Sequence, residues 1–116
     1  MTEKNAIDIL KSLVGFDTTS SKSNLDLIAF IKNYLNIHKI KSTLVYDSSR
    51  KKANLYATIG SSSEGGIMLS GHTDIVPITG QSWTDDPFHL TQKENKLYGR
   101  GTADMKGFLA LSLIHI

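Results

Sequence analysis

Two short stretches of this 116-residue chain hold residues whose types and spacing could do chemistry. The first is Gly71-His72-Thr73-Asp74. In extended chain, residues i and i+2 point to the same side, so His72 and Asp74 project together. An imidazole in that position can bind a metal while the carboxylate fixes its orientation from behind. Taken alone, the triplet reads more simply as a structural histidine–aspartate hydrogen bond. The second stretch is Gly99-Arg100-Gly101-Thr102-Ala103-Asp104-Met105-Lys106-Gly107. Its early glycines let the backbone turn tightly or approach another group closely. A dinucleotide-binding fingerprint would need a third glycine where Asp104 stands, and a carboxylate there would repel a pyrophosphate. That reading fails. An acid at the mouth of a Gly-rich turn suits a cation, and its two oxygens can bridge two metal ions. Taken alone, Asp104 reads more simply as an acidic first-turn residue of the helix beginning near Met105.

The elements that must position these residues follow from the hydrophobic periodicity. Thr2 can cap a first helix with apolar positions Ile7, Leu10, Leu13 and Val14, and Gly15 lies where a left-handed residue would end it. After a polar turn over residues 17–23, Ser23 and Asp26 form the capping box of a second helix. Its inner face is Leu27, Ile28, Ile31, Tyr34 and Leu35, and His38 falls near its end, where an imidazole interacts favourably with the helix dipole. Residues 43–46 read as a short strand, and the polar run 47–52 as a solvated hairpin loop rather than a nucleic-acid patch. Leu55, Ala57 and Ile59 alternate with polar neighbours as in a strand with one buried face. A turn over 61–66 leads to Ile67-Met68-Leu69, expected to be a central strand buried on both faces. That would set His72 and Asp74 just beyond its C-terminal end, where open α/β sheets place their ligand sites. Residues 93–98 read as another hairpin, and the chain turns helical from Met105. The expected class is α/β, two helices and then a mixed sheet.

Composition narrows the function classes. With 13 Lys and Arg against 11 Asp and Glu, 40% hydrophobic residues, 9 Gly, 2 Pro and no Cys, the chain is not collagen-like, disordered or a disulfide framework. The length suits one domain. A net charge of +2 is too small to argue for nucleic acid or an acidic membrane. The N-terminus lacks the pattern of a signal peptide, and the most apolar stretch, residues 107–116, is about half of what a membrane-spanning helix needs. The expectation is a soluble, cytoplasmic protein.

Taken together, the motifs stop being weak. Gly71-His72-Thr73-Asp74-Ile75-Val76-Pro77, then Trp83 with Asp86-Pro87-Phe88, then residues 97–107 resemble the dinuclear zinc aminoacylase and carboxypeptidase family. Further matches to the deacetylase branch are Phe16-Asp17-Thr18-Thr19-Ser20 with Ser23-Asn24-Leu25, Lys52-Ala53-Asn54-Leu55 and Gly80-Gln81-Ser82-Trp83. The resemblance implies that His72 is a ligand to one zinc and that Asp104 bridges two, with a cis peptide to Met105. Asp74 would be the catalytic position that orients His72. Cobalt is an alternative metal, the substrate a small N-acyl amino acid, the whole protein a homodimer. A desuccinylase or a dipeptidase is the rival within the same chemistry, and a non-catalytic binding module the rival from another class. His89 and His115 have no metal role in this reading.

The same resemblance implies that the chain is the N-terminal part of a zinc-peptidase-like catalytic domain, incomplete. A catalytic glutamate and further ligands are expected downstream of Asp104, and two protein ligands are too few for a stable zinc site. The chain alone is therefore expected to be inactive, with unpaired strand edges and a half-covered apolar face. Residues 1–110 are read as native. Residues 111–116, Leu-Ser-Leu-Ile-His-Ile, read as the in-frame translation of a transposon end used to tag DNA libraries.

Overall fold

The computed structural model describes residues 5–61 and 63–116. Helix α1 (Ala6–Val14) opens on a full capping box: Asn5 accepts from the Asp8 N–H at 2.9 Å, and the Asp8 carboxylate accepts from the Asn5 N–H. Thr2 lies outside the described residues. The buried stripe of α1 is Ile9, Leu10, Leu13 and Val14, while Ile7 is 44% exposed. Ile9 pairs with Leu13 and Leu10 with Val14 at i,i+4, a tighter face than one that includes Ile7. Gly15 ends the helix without the expected left-handed turn, at φ −63° and ψ −18°.

Helix α2 (Leu25–Ile37) buries Leu27, Ile28, Ile31 and Leu35, with Tyr34 half-buried. The expected Ser23–Asp26 box does not form. The N-cap residue is Asn24, whose side chain bonds elsewhere, and Ser23 Oγ instead accepts from the Leu25 N–H at 3.2 Å. His38 stands at the C-cap with its ring 4.7 Å from that of Tyr34. Helix α3 (Gly107–Ile114) packs on α1, joining Ala110 and Leu113 to Ile9, Leu10, Leu13, Val14, Leu27, Ile31 and Leu35 in one core. Each of the Leu, Ile and Val side chains contributes about 1.5–3 kcal/mol when fully buried.

The strands form hairpins. β1 (Ser42–Tyr46) and β2 (Ala53–Ala57) pair antiparallel, Leu44 opposite Leu55. Their polar loop is organised by Asp47, whose Oδ1 accepts from the Lys51 and Lys52 N–H groups, each at 3.0 Å. β2 stops at Ala57, so Ile59 falls outside the strand and is 60% exposed. β3 (Thr91–Lys93) and β4 (Lys96–Tyr98) turn through Glu94 and Asn95, at φ 48° and 62°. Two successive positive φ values give the turn that matches the twist of paired strands.

The central strand expected at 67–69 is not there. Ile67 is 92% exposed, Met68 75% and Leu69 56%, and none lies in a strand. A strand buried on both faces needs neighbours along both edges and layers above and below. The described strands supply only the two hairpins. The size of the molecule agrees. Its radius of gyration is 15.0 Å, against about 13 Å for a compact domain of this length. Its accessible surface is 8095 Å², against roughly 6,300 Å² for a folded monomer of this mass.

Candidate metal centre

Residues 72–75 are held in place without a sheet. Ile75, 2% exposed, donates its N–H to Thr18 O at 3.1 Å and accepts from the Ser20 N–H at 3.0 Å, a parallel bridge to the turn after α1. Thr73 faces the protein: its carbonyl accepts from Thr18 Oγ1 at 2.6 Å and its hydroxyl from Asn24 Nδ2 at 3.0 Å. Strand alternation then turns His72 and Asp74 outward together, and both are exposed. The turn itself is stiffened by Asp17, which accepts from the Thr19 N–H at 3.1 Å and from the Thr19 hydroxyl at 2.5 Å; its other oxygen pairs with the exposed Lys22. Burial would raise the Asp17 pKa, but bonds from Lys22 and Thr19 outweigh it and hold the carboxyl below its ordinary value.

Asp104 arrives from the other side. The wide turn 102–106 begins after Gly101, at φ 84°, where an added Cβ would stand 2.6 Å from Ile75 Cγ2. Only glycine allows both that dihedral and that approach. Gly71 likewise lets the backbone before His72 lie against Met105, Phe108 and Leu109, since a Cβ there would come within 2.8 Å of Leu109 Cδ2. The Asp104–Met105 peptide is cis. Met105 Sδ accepts from the His72 N–H at 3.3 Å. Helix geometry starts only at Gly107, so Asp104 sits in the kink rather than in a regular first turn.

These two supports bring the residues singled out by the sequence together. His72 Nε2 stands 2.8 Å from Asp104 Oδ1, and His72 Nδ1 stands 3.1 Å from Asp74 Oδ1 and 3.0 Å from the Asp74 carbonyl. Slight burial would lower the His72 pKa, but the hydrogen bonds and charges of Asp104 and Asp74 raise it above the ordinary value. The Nε2–Oδ1 pair suits a divalent cation, with an imidazole nitrogen and a carboxylate oxygen as donors and Asp74 behind the ring. It is a partial set: among the described residues no three His, Cys, Asp or Glu gather as a metal-holding group. His89 is exposed, with its N–H on Asp86 O at 3.2 Å, and His115 caps the end of α3.

The sequence reading passed over two supporting residues. Asn24 was noted only as part of a motif; it carries three hydrogen bonds, to both backbone groups of Ala53 and to Thr73. Lys106 is fully buried, with its Nζ on the carbonyls of Leu13 and Phe16. Its signal was a lysine set between Met105 and the apolar face of a helix, where a charge has to be paired.

Comparison with known proteins bears on this geometry. Residues 68–116 match the model of peptidase family M20/M25/M40. An acetylornithine deacetylase of Proteus mirabilis (strain HI4320) is 47% identical over 100 residues, 85% of this chain and 26% of that protein. The acetylornithine deacetylase of Pasteurella multocida (strain Pm70) is 42% identical over 90% of this chain and 29% of that protein. One from Buchnera aphidicola subsp. Schizaphis graminum is 42% identical over 92% of this chain and 29% of its own length. The crystal structure of human carnosine dipeptidase 1 superposes with a TM-score of 0.78 at 24% identity, covering 93% of this chain and 26% of that one. The chain thus spans just over a quarter of the length of the relatives it matches. Over residues 68–116 the chain carries the pattern of peptidase family M20/M25/M40, and over most of its length it is similar to a part of acetylornithine deacetylases.

Proposed function

We propose that this chain supplies the first two ligands of a two-zinc centre that hydrolyses N-acetyl-L-ornithine to L-ornithine and acetate, a step of arginine synthesis. The observation that supports it is the approach of His72 Nε2 to Asp104 Oδ1 at 2.8 Å, on a chain 40–47% identical to acetylornithine deacetylases. His72 would hold one ion and Asp104 would bridge both. Asp74 holds the proton on Nδ1, which leaves the Nε2 lone pair for the metal and keeps the ring from rotating. Zinc, or cobalt in its place, supplies a Lewis acid that polarises an amide carbonyl and lowers the pKa of bound water.

Two ligands fall short of the three or four of a stable zinc site. By this reading the 116-residue chain is inactive alone, and the whole protein is a cytoplasmic homodimer acting on a small N-acyl amino acid, without nucleic acid or membrane as partner. Among the described residues no helix is long and apolar enough to cross a membrane. The test is a chimera in which this chain replaces the matching segment of the Proteus mirabilis acetylornithine deacetylase. The chimera should hydrolyse N-acetyl-L-ornithine, and His72→Ala or Asp104→Ala should lower kcat/KM by about a hundred- to a thousandfold, the scale on which losing a key catalytic electrostatic group acts. A folded chimera without activity, or one indifferent to both substitutions, would overturn the reading.

A further inference from the structure

One buried charge has no part in the reading above. Lys106 is 0% exposed, and its ammonium donates to Leu13 O at 2.8 Å and to Phe16 O at 2.7 Å. Both carbonyls lie at or just past the end of α1, where the helix dipole is negative, and the ammonium joins the Phe16 N–H on Leu13 O and the Thr18 N–H on Phe16 O. The Lys106 backbone N–H closes the turn by donating to Gly101 O at 2.8 Å. The adjoining Met105 thioether takes the His72 N–H. Asp104 therefore lies in a turn tied on one side to α1 through Lys106 and on the other to the backbone of His72 through Met105. Packing alone does not account for the charge, because a methionine would fill the space without the desolvation that an ammonium costs.

We infer that Lys106 is a positioning residue: by clamping the end of α1 it sets where Asp104 stands opposite His72. The inference deepens the proposed function and rests on its reading of His72 and Asp104 as ligands. A role confined to stability would lower the unfolding midpoint of a Lys106 variant and leave the His72 ring as it is.

The experiment is NMR on the ¹⁵N-labelled 116-residue chain, with Lys106→Met, Asp104→Asn and, as a control, Lys22→Met, all at one pH. Lys22 pairs with Asp17 in the same turn, but its side chain is 60% exposed. In Lys106→Met the ring nitrogens of His72 should move toward their positions in Asp104→Asn, and in Lys22→Met they should stay. A His72 ring unchanged in a folded Lys106→Met chain overturns the inference. Should that variant not fold, the unaltered chain decides. Ammonium protons on Lys106 that exchange more slowly than those of the other lysines support the clamp, and protons that exchange as fast overturn it. Cobalt(II) chloride added to the unaltered chain tests the ligand reading separately. No paramagnetic shift at His72 would sink that reading and leave the Lys106 result standing.

Discussion

The side-chain amide of Asn24 reaches Thr73 Oγ1 at 3.0 Å, across 49 residues of chain. The same amide exchanges a pair of bonds with Ala53, Nδ2 to its carbonyl and Oδ1 from its N–H, each at 3.0 Å. Asn24 thus acts as one step of a β-ladder, linking the start of β2 to the segment that carries His72 and Asp74. Ala53 is 4% exposed, so water cannot readily replace these partners.

Asn24→Ala should therefore be one of the more costly polar substitutions in the chain. It removes three bonds worth about 1 kcal/mol each and leaves both buried groups of Ala53 unpaired, for a loss of about 2–4 kcal/mol. Urea unfolding of the two chains measures it. A loss under about 0.5 kcal/mol, the size of an ordinary surface change, would show that the amide is dispensable.

What was legible in the sequence was local. The i,i+2 spacing of His72 and Asp74, the helical period of α2 and the hairpin read at residues 93–98 are set by neighbouring residues; the first two are where the pattern put them, and the hairpin spans 91–98. The strand expected at 67–69 depended on partners that the described residues do not provide, so its apolar pattern misled. Asn24 and Lys106 were missed for the reverse reason. Their partners lie 29 to 93 residues away, and no periodicity announces a contact of that range.

Stability should depend on pH through two groups with opposite signs. His72 has a folded pKa raised above its unfolded 6.5, so its contribution is present below about 6.5 and fades as pH rises through the folded value. Burial pushes the Lys106 ammonium down from 10.5 to about 8, with the charge of Asp17 opposing the shift. Between those two values the unfolded chain binds more protons, so stability rises with pH there. The melting midpoint should fall as pH rises above about 6.5, through the raised His72 pKa, and recover above about 8 as Lys106 loses its proton. His72→Ala should remove the fall and Lys106→Met the recovery; a flat profile in the unaltered chain would contradict both.

Gly101→Ala and Gly71→Ala should differ in cost. Position 101 combines φ 84° with a Cβ 2.6 Å from Ile75 Cγ2, and Ile75 is itself fixed by two backbone bonds. The left-handed backbone alone costs an alanine about 1–2 kcal/mol, and the clash adds to that. At Gly71 the nearest atom, at 2.8 Å, is the tip of the Leu109 side chain, which can rotate away. Denaturant midpoints should rank Gly101→Ala well below Gly71→Ala. The reverse order would mean that the approach to Met105 and Leu109, and not the turn before Asp104, is the tighter constraint.

Metal binding should report how much of the centre this chain holds. On the proposed reading, in which His72 and Asp104 are the two ligands among the described residues, the chain should bind zinc or cobalt far more weakly than the chimera carrying the rest of a relative's sequence, because each missing ligand removes a coordinate bond. Calorimetric titration of both proteins compares them. His72→Ala should abolish the weak binding of the chain, and chelator removal of metal from the chimera should lower its melting midpoint and stop hydrolysis. Equal affinity in the two proteins would show that the added sequence contributes no ligand, and binding undiminished by His72→Ala would show that the site lies elsewhere.

The last expectation concerns the apolar surface left at 67–69. Ile67 and Met68 are 92% and 75% exposed and adjoin Leu69 at 56%. Three consecutive exposed apolar residues without a strand partner form the kind of segment that pairs with other chains. Ile67→Lys with Met68→Lys should raise the concentration at which the chain stays monomeric in sedimentation. The unfolding free energy should change by no more than about 0.5 kcal/mol, as for any exposed position. In the chimera, where a larger protein surrounds the segment, the same pair of charges should be strongly destabilising if the segment becomes a buried strand. If chain and chimera tolerate the substitutions equally, residues 67–69 remain surface in both, and the central-strand expectation fails for the whole protein as well.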